Sequence, residues 1–354
     1  MPSRRSPTPT DVTAQDLISR ASECLGRFPP EGEMALRYMD KAFQMEPNNP
    51  DVLDFYGEVL LEYSNEDVEK AVELFKRSVE LAPNYNGSKY FYLGQLSEGN
   101  ESLQYFTKAA QILENELQDA EVEGEEVRGV VESRLISAMC AIGELYMTDM
   151  CDEPDAEEMC KKYLEGAVSR APQSVEALSG LAVYYKVIQE FDKAKELCKR
   201  ALEVTRSIGE EDPEALPPMP IRLQLAKTLT DIDASDEAIE VLHQLLDEDE
   251  NEVEVWYVLA CAHMTAAAAA KRGRRDAEAI DRTEPLRIAS ECVTHALDLI
   301  RRQPEDAQWT EPLQHLATEL DKRKQKQGIS VDDVQMNGDR IALRQGSMRR
   351  SHLG

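Results

Sequence analysis

Apolar residues recur at three- and four-residue steps along most of the chain, and no long run alternates strictly as a half-buried strand does. Within 174–204, Leu178, Leu181, Ala182 and Tyr185 share one helical face. Ala194, Cys198 and Ala201 share another. The pattern predicts two helices, A then B, packed antiparallel. A small residue beside a large one on A, facing small residues on B, suits a close crossing, where no large side chain fits. The pair recurs downstream. Leu225, Ala226 and Leu229 precede Ala238, Leu242 and Leu245, and Trp256, Leu259 and Ala260 precede Ala289, Val293 and Ala296. Upstream, Tyr56, Gly57 and Leu60 pair with Ala71 and Phe75, and Tyr90, Leu93 and Gly94 with Phe106 and Ala109. Met139, Ile142, Gly143 and Tyr146 pair with Leu164 and Ala167. Ala35, Met39 and Ala42 mark a B helix whose degenerate A helix falls at 12–26. Pro47, Pro83 and Pro172 stand where B helices must end.

The spacing resembles the tetratricopeptide repeat of about 34 residues. The fold class expected is all-α: a superhelical solenoid of about seven helix pairs over residues 12–321. Trp309, Leu313, Leu316 and Leu320 give a C-terminal capping helix, which covers the open end. Three insertions depart from the repeat. Residues 114–130 are acidic and read as a helix extending into a loop. Residues 207–220 hold Pro213, Pro217, Pro218 and Pro220 and read as a linker. Residues 265–285 carry an alanine run, read as a lengthened helix, and then a basic loop. Residues 1–11 and 322–354 read as disordered basic tails.

Charge narrows the function classes. The formal net charge is −28. The first ten residues hold two arginines and no acid, and the last 33 hold eight basic and three acidic residues, which leaves −35 between them. Such a body repels phosphates, so direct nucleic-acid binding is not expected. No apolar run reaches the ~18 residues of a membrane span, and the start lacks the apolar stretch of a secretory signal. Seven widely spaced cysteines without C-x-x-C suggest a reducing compartment, cytoplasm or nucleus. Cys160 and Cys198 fall at core positions of B helices. No two of the five histidines have metal-ligand spacing, and no phosphate-binding glycine loop or nucleophile elbow occurs. Neither an enzyme nor a cofactor is expected, and the strong net charge favours a monomer.

A solenoid of this kind offers a concave groove lined by A helices. Asp51, Asp54, Glu58 and Glu62 are spaced 3, 4 and 4, which puts four carboxylates on one stripe of one helix. Repeat register turns that stripe toward the groove, with Glu98, Glu144, Glu176 and Glu254 at related positions. Phe91, Tyr185 and Tyr257 supply apolar or stacking contacts. Like charges on one stripe cost stability, which favours a use for them. The partner expected is basic and extended. Groove lysines that would clamp an acidic chaperone tail are missing from the second to fourth repeats.

The strings Asp54-Phe-Tyr-Gly-Glu-Val-Leu-Leu-Glu, Tyr90-Phe-Tyr-Leu-Gly-Gln-Leu, Tyr146-Met-Thr-Asp-Met-Cys-Asp-Glu-Pro and Val255-Trp-Tyr-Val-Leu-Ala resemble the fungal tetratricopeptide proteins that act as dedicated assembly chaperones of large-subunit ribosomal protein four. The resemblance implies a client function: binding the new ribosomal protein through an extended basic loop, keeping it soluble and delivering it to nuclear pre-ribosomes. A tetratricopeptide scaffold subunit, or a chaperone of another basic client such as histones, is the alternative. Charge alone does not divide the basic clients.

Overall fold

The computed structural model describes residues 12–64, 67–272 and 283–327. Among them are fifteen α-helices, two 3-10 segments and no strand. The contacts divide the chain into two compact units, one through Pro172 and one from Gln173.

The first unit holds α1 (Ala14–Leu25), α2 (Gly32–Met45), α3 (Pro50–Tyr63), α4 (Val68–Leu81), α5 (Gly87–Gln95), α6 (Gly99–Glu123), α7 (Glu125–Met147) and α8 (Ala156–Arg170). Each packs on the next, and α1 also meets α3, as α5 meets α7. Side chains start the helices where the sequence offers caps. Thr13 and Asp16 close a reciprocal capping box on α1. The Asn49 side chain accepts from Asp51 N on α3, with Pro50 in the first turn.

Three A helices cross their partners at a glycine. A Cβ on Gly57 would stand 2.6 Å from the Phe75 ring, one on Gly94 2.8 Å from Phe106, and one on Gly143 2.6 Å from Leu164. The absent side chain lets an aromatic ring or leucine of the B helix fill the crossing.

The second unit holds α9 (Val175–Val187), α10 (Phe191–Glu211), a 3-10 turn (Pro213–Ala215), α11 (Met219–Asp231), α12 (Ser235–Glu248), α13 (Val253–Arg272) and α14 (Thr283–Ile300). A second 3-10 segment (Pro304–Trp309) leads to α15 (Thr310–Gln327), which packs on α14. Here the small crossing residues are Ala182, Ala226 and Ala260, all fully buried. Cys160 in the first unit and Cys198 in the second are core residues, as their register predicts. Arg222 ties the proline linker down: its guanidinium donates to the Pro217 carbonyl at 2.7 Å and to both Glu248 oxygens at 2.6 Å.

The insertions are more helical than the sequence suggests. Over 114–130 there is no loop: α6 runs to Glu123 and α7 starts at Glu125, with only Gly124 between, at φ 126°. Glu, Gln, Leu and Ala are strong helix formers, and a glycine at positive φ is enough to reverse the chain. Helix α10 covers 207–211, so the linker is short. The alanine run lengthens α13 to Arg272. The basic loop beyond it falls largely on 273–282, outside the described residues. Residues 322–327 are not tail but the last turns of α15, where lysine and arginine suit the carbonyl end of a helix. Residues 1–11 and 328–354, the rest of the expected tails, lie outside the described residues.

Candidate binding surface

The stripe on α3 forms as the spacing predicts, but its four carboxylates have different fates. Asp54 is 2% exposed. It accepts from Asn86 Nδ2 at 2.9 Å and lies 3.8 Å from Lys89 Nζ, while its Oδ1 has no hydrogen-bond partner. Lys89 of α5 is fully buried. Its ammonium donates to the Ala82 carbonyl at 2.8 Å and to Ser78 Oγ at 3.0 Å, where it neutralises the carbonyl end of α4. Burial raises the Asp54 pKa, and Ser78, Lys89 and Asn86 only partly offset it. Burial likewise lowers that of Lys89, against the pull of Asp54 and Glu116. Asp54 is therefore a buried structural charge, which corrects its reading as a groove contact.

Glu58 is half-buried and lies 3.6 Å from Arg134 of α7. Burial raises its pKa, and Arg134 lowers it in part. Arg134 also donates to Ser88 Oγ on α5 at 2.5 Å, so one guanidinium joins three A helices of the first unit. Glu58 serves that joint rather than open solvent, a second correction. Asp51 is exposed and accepts from Tyr85 Oη at 2.8 Å; that hydrogen bond, with burial, pushes the Tyr85 pKa up to about 12. Glu62 stays exposed at the far end of the stripe.

The related positions divide in the same way. Glu98 is exposed but lies in the turn after α5, because that helix ends at Gln95; it is not on an A-helix stripe. Glu144 is exposed near the end of α7. Glu176 is half-buried in the first turn of α9. Glu254 pairs with Lys227 at 2.5 Å, so α11 is bridged to α13 much as Lys186 and Asp231, 2.7 Å apart, bridge α9 to α11. Of the aromatic residues, Phe91 packs edge-on to Phe106 at 5.5 Å. Tyr185 stacks under Lys193 Nζ at 4.9 Å, and Tyr257 meets Trp309 at 5.3 Å.

Lys89 and Arg134 are the residues that sequence reasoning missed, together with Glu116, which accepts from Gly87 N at 3.2 Å and caps α5. The one signal was Lys89 itself, a lysine four residues before buried Leu93 on the same face. Exposed carboxylates also cluster at one turn, where Asp149 accepts from Gly99 N at 3.0 Å. Asp149, Asp152, Glu153, Asp155, Glu157 and Glu158 are all exposed around the α7–α8 turn. Among the described residues no group of three or more His, Cys, Asp or Glu is placed to hold a metal, and no helix is long and apolar enough to cross a membrane.

Two curated proteins are similar over most of this chain. A probable assembly chaperone of rpl4 from Schizosaccharomyces pombe is 31% identical over 235 residues, which cover 65% of this chain and 68% of that protein. The chain belongs to the family of rpl4 assembly chaperones. A second member, a probable assembly chaperone of rpl4 from Emericella nidulans, is 27% identical over 277 residues, 73% of this chain and 68% of that one. The solved structure of the assembly chaperone of RpL4, Acl4 (residues 1–338), superposes with a TM-score of 0.63 at 25% identity. The match covers 74% of this chain and 99% of that one. No family model matches the chain.

Proposed function

We propose that this protein is an assembly chaperone of ribosomal protein rpl4: it binds the newly made protein, keeps it soluble and hands it to the assembling large subunit. The observation that carries this is family membership, at 31% identity over two thirds of the relative's length. The charge fits the client. Ribosomal proteins are basic where they meet RNA, and a body at −35 attracts such a segment at a distance and competes with nucleic acid for it.

The client is held through an extended basic loop. In the first unit its contacts are the exposed carboxylates Asp51, Glu62, Glu98 and Glu144 with the Phe91 ring; in the second they are Glu176, Tyr185 and Tyr257. Asp54, Glu58 and Glu254 hold the helices that present them. The protein acts as a monomer in the cytoplasm and nucleus, without catalysis and without contacting nucleic acid.

Co-expression tests the reading. Rpl4 made alone should precipitate, and rpl4 made with this chain should stay soluble in a complex that dissociates as salt rises. Rpl4 that precipitates equally in both cases would sink the proposal. A histone competing equally for the complex would make it a general holder of basic proteins.

A further inference from the structure

A shallow, open hollow of about 400 Å³ lies along α15 in the second unit, lined by His315, Thr318, Glu319, Lys322, Arg323 and Lys326, four of them exposed. Three- and four-residue steps put these residues on one side of the helix. Leu313, Leu316 and Leu320 are buried on the other. The hollow's one carboxylate is already engaged: Glu319 accepts from Arg323 Nη2 at 2.6 Å. Arg323 Nη1 also donates to the Met264 carbonyl of α13 at 3.3 Å, which fixes the guanidinium against its neighbour. Lys322 and Lys326 are exposed, and among the described residues no ion pair engages either one. In the same unit Lys186 and Lys227 are drawn into cross-helix pairs, whereas Lys195 and Lys199 are exposed as these two are. Here two ammonium groups and a held guanidinium share one face of α15.

We propose that this hollow binds an extended acidic peptide carrying carboxylates at alternate positions. Lys322 and Lys326 are one helical turn apart, about 6 Å along the axis. Side chains i and i+2 of an extended peptide project from one face about 6.6–6.8 Å apart. A Glu-x-Glu segment therefore sets one carboxylate against each ammonium, with Arg323 beside them as a further donor. The remaining negative charge of the chain opposes an acidic ligand at long range. At 0.15 M salt, with a Debye length of about 8 Å, distant charges are screened while contacts persist. This site is independent of the rpl4 reading and lies on different residues.

The test is fluorescence anisotropy of a labelled peptide of alternating glutamate and glycine, titrated with the full chain at 0.15 M salt. The same peptide with glutamine for glutamate serves as control, and oligouridine as a second probe. Saturable binding should weaken at least tenfold with the glutamine peptide and be lost in Lys322→Glu/Lys326→Glu. It should weaken partly in Lys322→Gln/Lys326→Gln and be unchanged in Lys199→Glu on α10. The substituted lysines are exposed, and far-ultraviolet circular dichroism reports that the variants fold. Absence of saturable binding, or binding that survives the double reversal, overturns the proposal. So does oligouridine that binds tenfold tighter than the peptide through the same lysines.

Discussion

Replacing Lys89 with methionine tests how the first unit holds its buried charge. The wild-type ammonium is fully buried, donates to Ala82 O and Ser78 Oγ, and lies 3.8 Å from Asp54. Its loss leaves Asp54 buried with Asn86 as its hydrogen-bond donor and one oxygen without any. Removing one partner of such a pair costs about 3–5 kcal/mol. Asp54→Asn should cost less, about 1–3 kcal/mol, because the ammonium keeps its Ser78 and Ala82 acceptors. The double variant Asp54→Leu/Lys89→Met removes both charges and should recover most of the loss.

The sign of the pH dependence follows from Asp54. Its folded pKa is raised by burial, and Lys89 holds it down in part, so the lysine's loss raises it further. A group whose folded pKa is raised stabilises the fold fully below its unfolded pKa, and that contribution is lost as pH rises through the folded value. The Lys89→Met deficit should therefore be largest at neutral pH and shrink on acidification. Hydrogen exchange of the α3–α5 amides reads the effect, and protection should fall on the order of a hundredfold or more. Both tryptophans, Trp256 and Trp309, lie in the second unit, so their fluorescence is an internal control. A deficit under about 1 kcal/mol, or one independent of pH, would show that Lys89 does not hold the buried Asp54 charge.

Gly57→Ala should destabilise the first unit by about 1–3 kcal/mol, because its Cβ meets the Phe75 ring at 2.6 Å. Gly129→Ala, in α7 with nothing within 4 Å, should stabilise by about 0.5–1 kcal/mol; urea unfolding followed by circular dichroism compares the two. Burial lowers the His263 pKa to about 4, and its Nε2 has no hydrogen-bond partner. Its folded pKa is depressed, so the second unit should lose stability as pH falls from about 6.5 toward 4. His263→Leu should flatten that slope in tryptophan-monitored melts. Glu62→Lys, on an exposed side chain, should weaken rpl4 binding about fivefold, or ~1 kcal/mol, without moving the melting temperature. Binding titrations at two salt concentrations, with melts of the same variant, check both halves.

Helix order and pairing were legible because small and large residues alternate between A and B helices at one register. Gly57 against Phe75 and Ala182 in the second unit are both instances. The fates of the carboxylates were not legible. Asp54 and Glu62 look alike on the α3 stripe, yet one is buried beside Lys89 and the other open, because α5 covers only part of the stripe. Arg134 is 76 residues from Glu58 in sequence, and nothing local announces their meeting. Reversing Asp54 and Glu58 to lysine would thus disrupt the helix packing of the first unit as well as any binding surface. Glu62 and Glu144 are the cleaner probes. Over 114–130 acidity suggested a loop, but glutamate is also a good helix former, and only Gly124 marked the break.

A dedicated chaperone should carry one basic client in the cell. Affinity purification of the tagged full-length protein from its own cells at moderate salt, with mass spectrometry of the stoichiometric partners, tests it most directly. Rpl4 should be the dominant partner, recovered without mature ribosomes and released at high salt. A stable set of non-basic subunits that resists salt, with rpl4 absent, would contradict it.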